Sequence, residues 1–356
     1  MKKVITLITI IIVIIVAILG AYKFLTMPVS KNIEEKEVVI PMGTGPEGIG
    51  KILKENNIIK SELAFKIYVK LNKKSNFQAG TYYLKESMNL DEITEMLQTG
   101  IMFDPNQISL TYLEGKPMWD LAKTIAERTN NTEEDVYACL ENEEYIDTLI
   151  EKYWFLTDEI KNENIYYPLE GYLFADTYSI SGTDATVEEI FEKMLDRMEE
   201  VLDEYKTEIE QGNYTVHEIL TLASVVETEG NSKENRSDVA SVFYNRLDQG
   251  MSLGSDSTTY YAVKTDMADR ELWQYEIDAE NPYNTRGPNM EGKLPVGPIS
   301  SVGRESIEAA VKPNDTDYLF YVSDKNGRLY FSETISEHQA MIKALMGSGL
   351  WYEYDD

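Results

Sequence analysis

Apolar and polar positions divide the chain into stretches of different kind. Val4 to Tyr22, VITLITIIIVIIVAILGAY, is a run of 19 residues without a charge. As a helix rising about 1.5 Å per residue it would span roughly 28 Å, close to the hydrocarbon thickness of a bilayer. Secretory signal peptides usually carry an apolar region of only about 7–15 residues, so a retained anchor fits better. Lys2 and Lys3 precede the run and favour a cytoplasmic N-terminus. The pattern predicts a cytoplasmic end at 1–3, a transmembrane helix over 4–25 and a polar linker over 26–37. Everything later would then lie outside the cell membrane, on a single-pass anchor.

Shorter periods follow. A strand is expected at Val38–Ile40, then a helix from about Pro46 and another from Ser61, a good N-cap residue. AGTYYL reads as a strand, and NLDEITEMLQTG as a helix capped by Asn89 and ended by Gly100. Together they predict an α/β module over 38–100. QISLTYLEGKPMWDLAKTIAER repeats the strand–helix pattern and opens a mostly helical, acidic connecting region over 101–206. YYPLEGYLFADTY interrupts that region, because Pro168 and Gly171 break a helix. Its crowded tyrosines fit a packed turn better than the wall of a sugar groove.

A domain over 207–345 shows the strongest signals. TVHEILTLASVVETEG opens on a capping box, Thr215-x-x-Glu218, and reaches a terminator at Gly230, predicting a helix over Val216–Glu229. RSDVASVFYNRLDQG is a second helix with Val239, Val242, Phe243 and Leu247 as its core face. The stretch 281–303 holds four prolines and four glycines, which predicts a long shaped loop. YLFYVSD and RLYFSE flank Asn326-Gly327, a hairpin signal, and SEHQAMIKALM is a last helix before a loose tail at 346–356. The whole predicts an α+β fold.

The Val216–Glu229 helix ends on two glutamates. At about 100° per residue, Glu227 lies about 20° from Leu220, while Glu229 lies about 180° away. Glu227 is therefore expected to face inward or into a cleft, and Glu229 to face solvent. A carboxyl in the last turn of a helix meets the negative end of the dipole, and partial burial adds desolvation. Both favour the protonated form that a general acid requires. The residues equally allow a carboxylate satisfied by Arg246 or by a backbone amide. On the first reading, Glu227→Gln should leave the melting temperature unchanged or raised, since a protonated carboxyl in a partly apolar site costs stability.

Composition narrows the field. The net charge of −29 argues against nucleic acid, whose phosphates require a basic face. The 24 tyrosines suit a sugar, because a flat ring can stack while its hydroxyl hydrogen-bonds. Cys139 is the single cysteine, which rules out an intrachain disulfide. His217 and His338 are far apart, and no metal-ligand spacing stands out, so neither metal nor cofactor is expected. Gly43, Gly45 and Gly48 spell G-x-G-x-x-G between a strand and a helix, yet Pro46 removes an N–H and Glu47 adds charge where a phosphate would sit.

The segments LASVVETE, VASVFYNRL, SDSTTYYA, NPYNT and LPVGPISSVG, in this order, resemble the YceG-like family of endolytic murein transglycosylases, and LEGYLFADTY is similar to an upstream family signature. The resemblance spans about 38–345 and implies a LysM-like module at 38–100 ahead of the catalytic domain. It implies cleavage of peptidoglycan glycan strands between MurNAc and GlcNAc, leaving 1,6-anhydroMurNAc ends, beside the cell-wall synthases. The family's catalytic glutamate falls on Glu227. It would protonate the leaving oxygen and then take the proton of the sugar's C6 hydroxyl, so that one carboxyl suffices where a hydrolase needs two. Asn245, Ser255, Asp256, Tyr283 and Asn284 match positions expected to bind substrate. Ser257, Val296 and the longer RGPNMEGK loop depart from the family pattern. Two alternatives remain at this stage: a hydrolytic, lysozyme-like muramidase, with Asp256 as second carboxylate, and a non-catalytic wall-binding scaffold.

Overall fold

The computed structural model describes residues 13, 17, 20–99, 107–230 and 232–351. Most of the expected transmembrane stretch lies outside these residues, as do Gly100 and the end of the expected tail. Among the described residues, no helix is long and apolar enough to cross a membrane. The chain forms two compact units, residues 1–107 and 108–356.

In the first unit, strand β1 (Glu35–Ile40) pairs antiparallel with β2 (Gly80–Lys85), with Val38 opposite Tyr82. Side chains alternate across a strand, and here Val38 and Ile40 are buried while Val39 is exposed. Helices α1 (Pro46–Glu55) and α2 (Glu62–Leu71) lie between the strands in sequence, and α3 (Leu90–Thr99) follows them. Ile49, Leu53, Phe65, Tyr82, Leu84 and Leu97 close the core. The expected caps are present. The Ser61 hydroxyl accepts from Ala64 N at 3.3 Å, and Asn89 Oδ1 accepts from Glu92 N at 3.1 Å.

The second unit begins with β3 (Ile108–Thr111), α4 (Met118–Arg128), α5 (Glu133–Leu140) and α6 (Glu143–Lys152). Strand β4 (Thr177–Ile180) returns antiparallel to β3. Helices α7 (Val187–Asp203), α8 (Lys206–Gln211), α9 (Val216–Glu229), α10 (Lys233–Asp248), α11 (Asp256–Ala262), α12 (Gln274–Ile277) and α13 (Arg304–Val311) follow. The hairpin β5 (Phe320–Ser323) and β6 (Leu329–Ser332) turns at Asn326-Gly327, and α14 (Ile335–Gly347) ends the regular structure. The fold is mixed α+β. One continuous core takes Leu110, Leu121, Phe155 and Phe191 from the 108–206 stretch and Leu220, Phe243, Tyr283 and Ile307 from the 207–345 stretch.

Helix α9 occupies the middle of this core. Its predicted capping box is present: Thr215 Oγ1 accepts from Glu218 N at 3.2 Å, and Glu218 Oε2 accepts from Thr215 N at 2.8 Å. Every residue from Ile219 to Glu227 is buried, and α9 packs against both α10 and α13. Gly230 ends the helix, though in extended conformation (φ −91°, ψ 123°) rather than left-handed. Its missing side chain admits Arg236, whose Cγ would lie 2.5 Å from a Cβ at that position.

Candidate active site

The end of α9 delivers Glu227 into a cradle of donors. Its side chain is only 3 % exposed. Oε1 accepts from Arg236 Nη2, at the start of α10. Oε2 accepts from Gly303 N at 3.0 Å and from the Ser306 hydroxyl, both at the start of α13. Arg236 also holds Glu305 at 2.8 Å. The α9–α10 turn and the α13 N-terminus thus converge on one carboxylate, and the capping amide of α13 serves it as an anion site. The inward direction expected of Glu227 is found. Its cation is Arg236 rather than Arg246, whose guanidinium is spent on the carbonyls of Leu319 and Leu253.

This cradle reverses the expected response to Glu227→Gln. An apolar surround would reward loss of the charge; a buried guanidinium opposite it does the reverse. Glu229 also departs from expectation. It is half-buried, not solvent-facing: Oε1 accepts from the Ser255 hydroxyl at 2.5 Å, and Oε2 accepts from Tyr321 OH at 2.9 Å. The helical wheel failed there because the turn before α11 and strand β5 cover the side of α9 that the wheel assigned to solvent. Tyr321 is held well above the usual tyrosine range by burial, with the Glu229 charge adding to it.

The other expected site residues divide. Ser255 is buried and bound to Glu229. Asp256 beside it is exposed and paired with Arg286 at 2.7 Å. Asn245 donates to the carbonyls of Thr316 and Tyr318, at 2.7 and 3.0 Å, and so fixes the approach to β5. Tyr283 and Asn284 are wholly buried. Asn284 Nδ2 donates to the carbonyls of Glu276, Ile277 and Ala279, and its Oδ1 accepts from Thr259 Oγ1 and Arg286 N. The structure brings Ser255 and Asp256 to the end of α9, makes Tyr283 and Asn284 internal fasteners of the long loop, and spends Asn245 on the segment that leads into β5. The YYPLEGYLFADTY segment is the expected packed turn: Tyr166 lies against Tyr283 and Tyr261, with centroids 4.7 and 5.7 Å away.

A hollow of about 150 Å³ opens beside the cradle, lined among others by Gly115, Trp119, Thr228, Ser257, Tyr260 and Tyr261. Thr228 follows Glu227 and bonds Ser257 Oγ at 2.9 Å. A Cβ on Gly115 would lie 3.7 Å from Glu227 Cγ. Trp119 stacks on Tyr261 at 5.3 Å, which gives the hollow an aromatic wall of the kind sugars stack on. Larger hollows of about 400 and 490 Å³, around Ile146 and Tyr214, contain none of the expected site residues. Among the described residues no group of three metal-ligating side chains converges. His217 is a fastener, contacting Val296 O at 2.9 Å and Tyr172 OH at 2.8 Å.

Comparison with known proteins matches residues 38–344 to the YceG-like family model. The chain belongs to the YceG-like family. It is 38% identical, over 89% of its own length and 86% of the relative's, to a Bacillus subtilis protein named endolytic murein transglycosylase. A Streptococcus pneumoniae protein of the same name is 31% identical, over 91% of this chain and 61% of that longer relative. Among solved structures, a yceG-like protein from Listeria monocytogenes superposes with a TM-score of 0.61 at 34% identity, covering 88% of this chain and all of the other. Sequence reasoning missed Arg236, Gly303 and Ser306. Arg236 stands nine positions after Glu227 across a helix break, and the other two come from 76 and 79 positions further on, so no local period signals any of them.

Proposed function

We propose that this chain is an endolytic murein transglycosylase that cleaves the MurNAc–GlcNAc bond within peptidoglycan glycan strands and leaves 1,6-anhydroMurNAc ends. The observation that carries the reading is Glu227: one buried carboxylate, oriented by Arg236, Gly303 and Ser306, beside an aromatic hollow. The names of the relatives support the same chemistry. In the reaction, the bond between MurNAc C1 and the glycosidic oxygen breaks and that oxygen takes a proton from Glu227. The C6 oxygen bonds to C1, and the C6 hydroxyl proton passes to Glu227. No water is consumed, so the second carboxylate of a hydrolase is not required as nucleophile or water-activating base.

The sugar chain would lie along Trp119 and Tyr260, with Ser255 and Asp256 at its edge. Asn245, Tyr283 and Asn284 would act on substrate only by holding the loops that shape this wall. Residues 4–25 are proposed as a single membrane anchor with the N-terminus in the cytoplasm, which places the catalytic unit beside the cell-wall synthases, where cleavage would limit nascent strands. The 38–100 module, with its β-α-α-β-α order, is proposed as LysM-like and glycan-binding. The test is cleavage of purified glycan strands by the full chain in detergent. Wild type should release shorter strands and Glu227→Gln none; cleavage by a folded Glu227→Gln protein would overturn the assignment.

A further inference from the structure

A second carboxylate is built into the cradle by the turn after β3. Ser301, itself fully buried, stitches residues 113–116 in place at four points. Gly115 N donates to Ser301 O at 3.1 Å, and Ser301 N donates to Lys116 O at 2.9 Å. Lys116 N donates to Ser301 Oγ at 3.1 Å, and Ser301 Oγ donates to Leu113 O at 2.7 Å. The stitching presses the head of Glu114 onto Gly303. A Cβ on Gly303 would meet Glu114 Oε1 at 2.1 Å, so only glycine admits the contact. The amide N–H of this glycine is the donor to Glu227 Oε2. One residue therefore carries Glu227 on its N–H and Glu114 over its Cα.

The two carboxyls differ in setting. Glu227 is buried and both its oxygens already accept, one of them from a guanidinium. Glu114 belongs to an exposed residue, and its neighbours Gly115 and Lys116 line the aromatic hollow. Desolvation of its head raises its carboxyl above the ordinary range, the Glu227 charge raises it further, and Glu305 and Asp176 add to this while Arg236 opposes it. A carboxyl raised in this way, in a turn whose next two residues line the hollow, is suited to acid work.

We propose that Glu114 is a second catalytic residue of this site, the group that protonates the leaving glycosidic oxygen while Glu227 takes the C6 hydroxyl proton. The inference rests on the transglycosylase reading and divides its two proton transfers between two residues. The C1–O electron pair goes to the leaving oxygen, which receives Glu114's proton; the C6 oxygen bonds to C1 and its proton passes to Glu227. Glu114 ends ionised and Glu227 protonated, and exchange with solvent resets both.

The experiment measures kcat and KM for glycan strands, across pH, for the full chain in detergent and for Glu114→Gln, Glu114→Asp and Glu227→Gln, with melting curves to establish folding. Glu114→Gln should lower kcat by about 10²–10⁴-fold, the usual worth of a general acid, with little change in KM. Wild-type activity should fall as pH rises through the Glu114 titration, and Glu114→Gln should lack that fall. Glu114→Asp should regain part of the rate together with the fall. Near-wild-type kcat in Glu114→Gln, a rise in KM alone, or a kcat loss that keeps the high-pH fall would each overturn the proposal. If Glu227→Gln is inactive while Glu114→Gln is ordinary, only this inference fails; if Glu227→Gln is active, the underlying reading fails with it.

Discussion

Replacing Glu227 by glutamine keeps the shape of the side chain and removes its charge. The geometry sets the cost. Arg236, with a side chain 13 % exposed, would lose its buried anionic partner and keep Glu305, whose side chain is 49 % exposed. The new amide must also aim its NH₂ at one side of a cradle in which Arg236 Nη2, Gly303 N and Ser306 Oγ all donate. Severing a buried ion pair costs roughly 3–5 kcal/mol, and a hydrogen bond to a charged group is worth about 1.5–3 kcal/mol. Because Glu305 and the retained carbonyl oxygen offset part of this, the expected loss is about 2–3 kcal/mol. For a domain of this size each kcal/mol moves Tm by roughly 2–4 °C, so the Tm should fall by about 4–12 °C. Scanning calorimetry of both proteins at neutral pH measures it. The gap should persist in high salt, because a buried pair is screened little. A Tm equal to or above wild type would refute the reasoning and restore the view of Glu227 as a carboxyl in an apolar site.

Glu229→Gln should retain measurable cleavage under conditions where Glu227→Gln shows none, while melting below wild type, since Glu229 ties Ser255 to Tyr321; equal loss of activity in the two variants would contradict the separate roles. Glu170 should make stability depend on pH. Burial pushes its carboxyl up to about 8, although Met118 N and Tyr261 OH donate to it. The folded state then holds a proton that the unfolded chain releases from about pH 4.5 upward, so wild type loses stability as pH rises from there to about 8. Urea melts should show the stability difference between Glu170→Gln and wild type moving in the variant's favour across that window; a constant difference would contradict it.

Local signals were readable wherever one stretch of chain decides its own structure. The Thr215 capping box, the Ser61 and Asn89 caps and the Asn326-Gly327 hairpin each depend on residues a few positions apart, and each formed as expected. Glu227 was legible because the run before it is apolar and the helix ends there. Its surroundings were not. Helix α9 is buried on all sides through Glu227, so a 3.6-residue period carries little information about which side matters. That is why Glu229 was assigned to solvent and is instead bound by residues 26 and 92 positions away. Asn284 matches a family position expected to bind substrate, but buried asparagines serve backbone carbonyls as readily as ligands, and sequence does not separate the two uses. Glu114 carries no local signal in the sequence, because its neighbour Gly303 is 189 positions further along the chain.

The central claim is that Glu227 drives a cleavage in which the sugar's own C6 oxygen, not water, closes on C1. The most direct test runs the reaction of full-length protein with glycan strands in water labelled with heavy oxygen, followed by mass spectrometry of the new ends. Transglycosylation predicts 1,6-anhydroMurNAc ends without label, and no new ends with Glu227→Gln. New reducing ends, heavier by one water and carrying the label, would show hydrolysis and contradict the account.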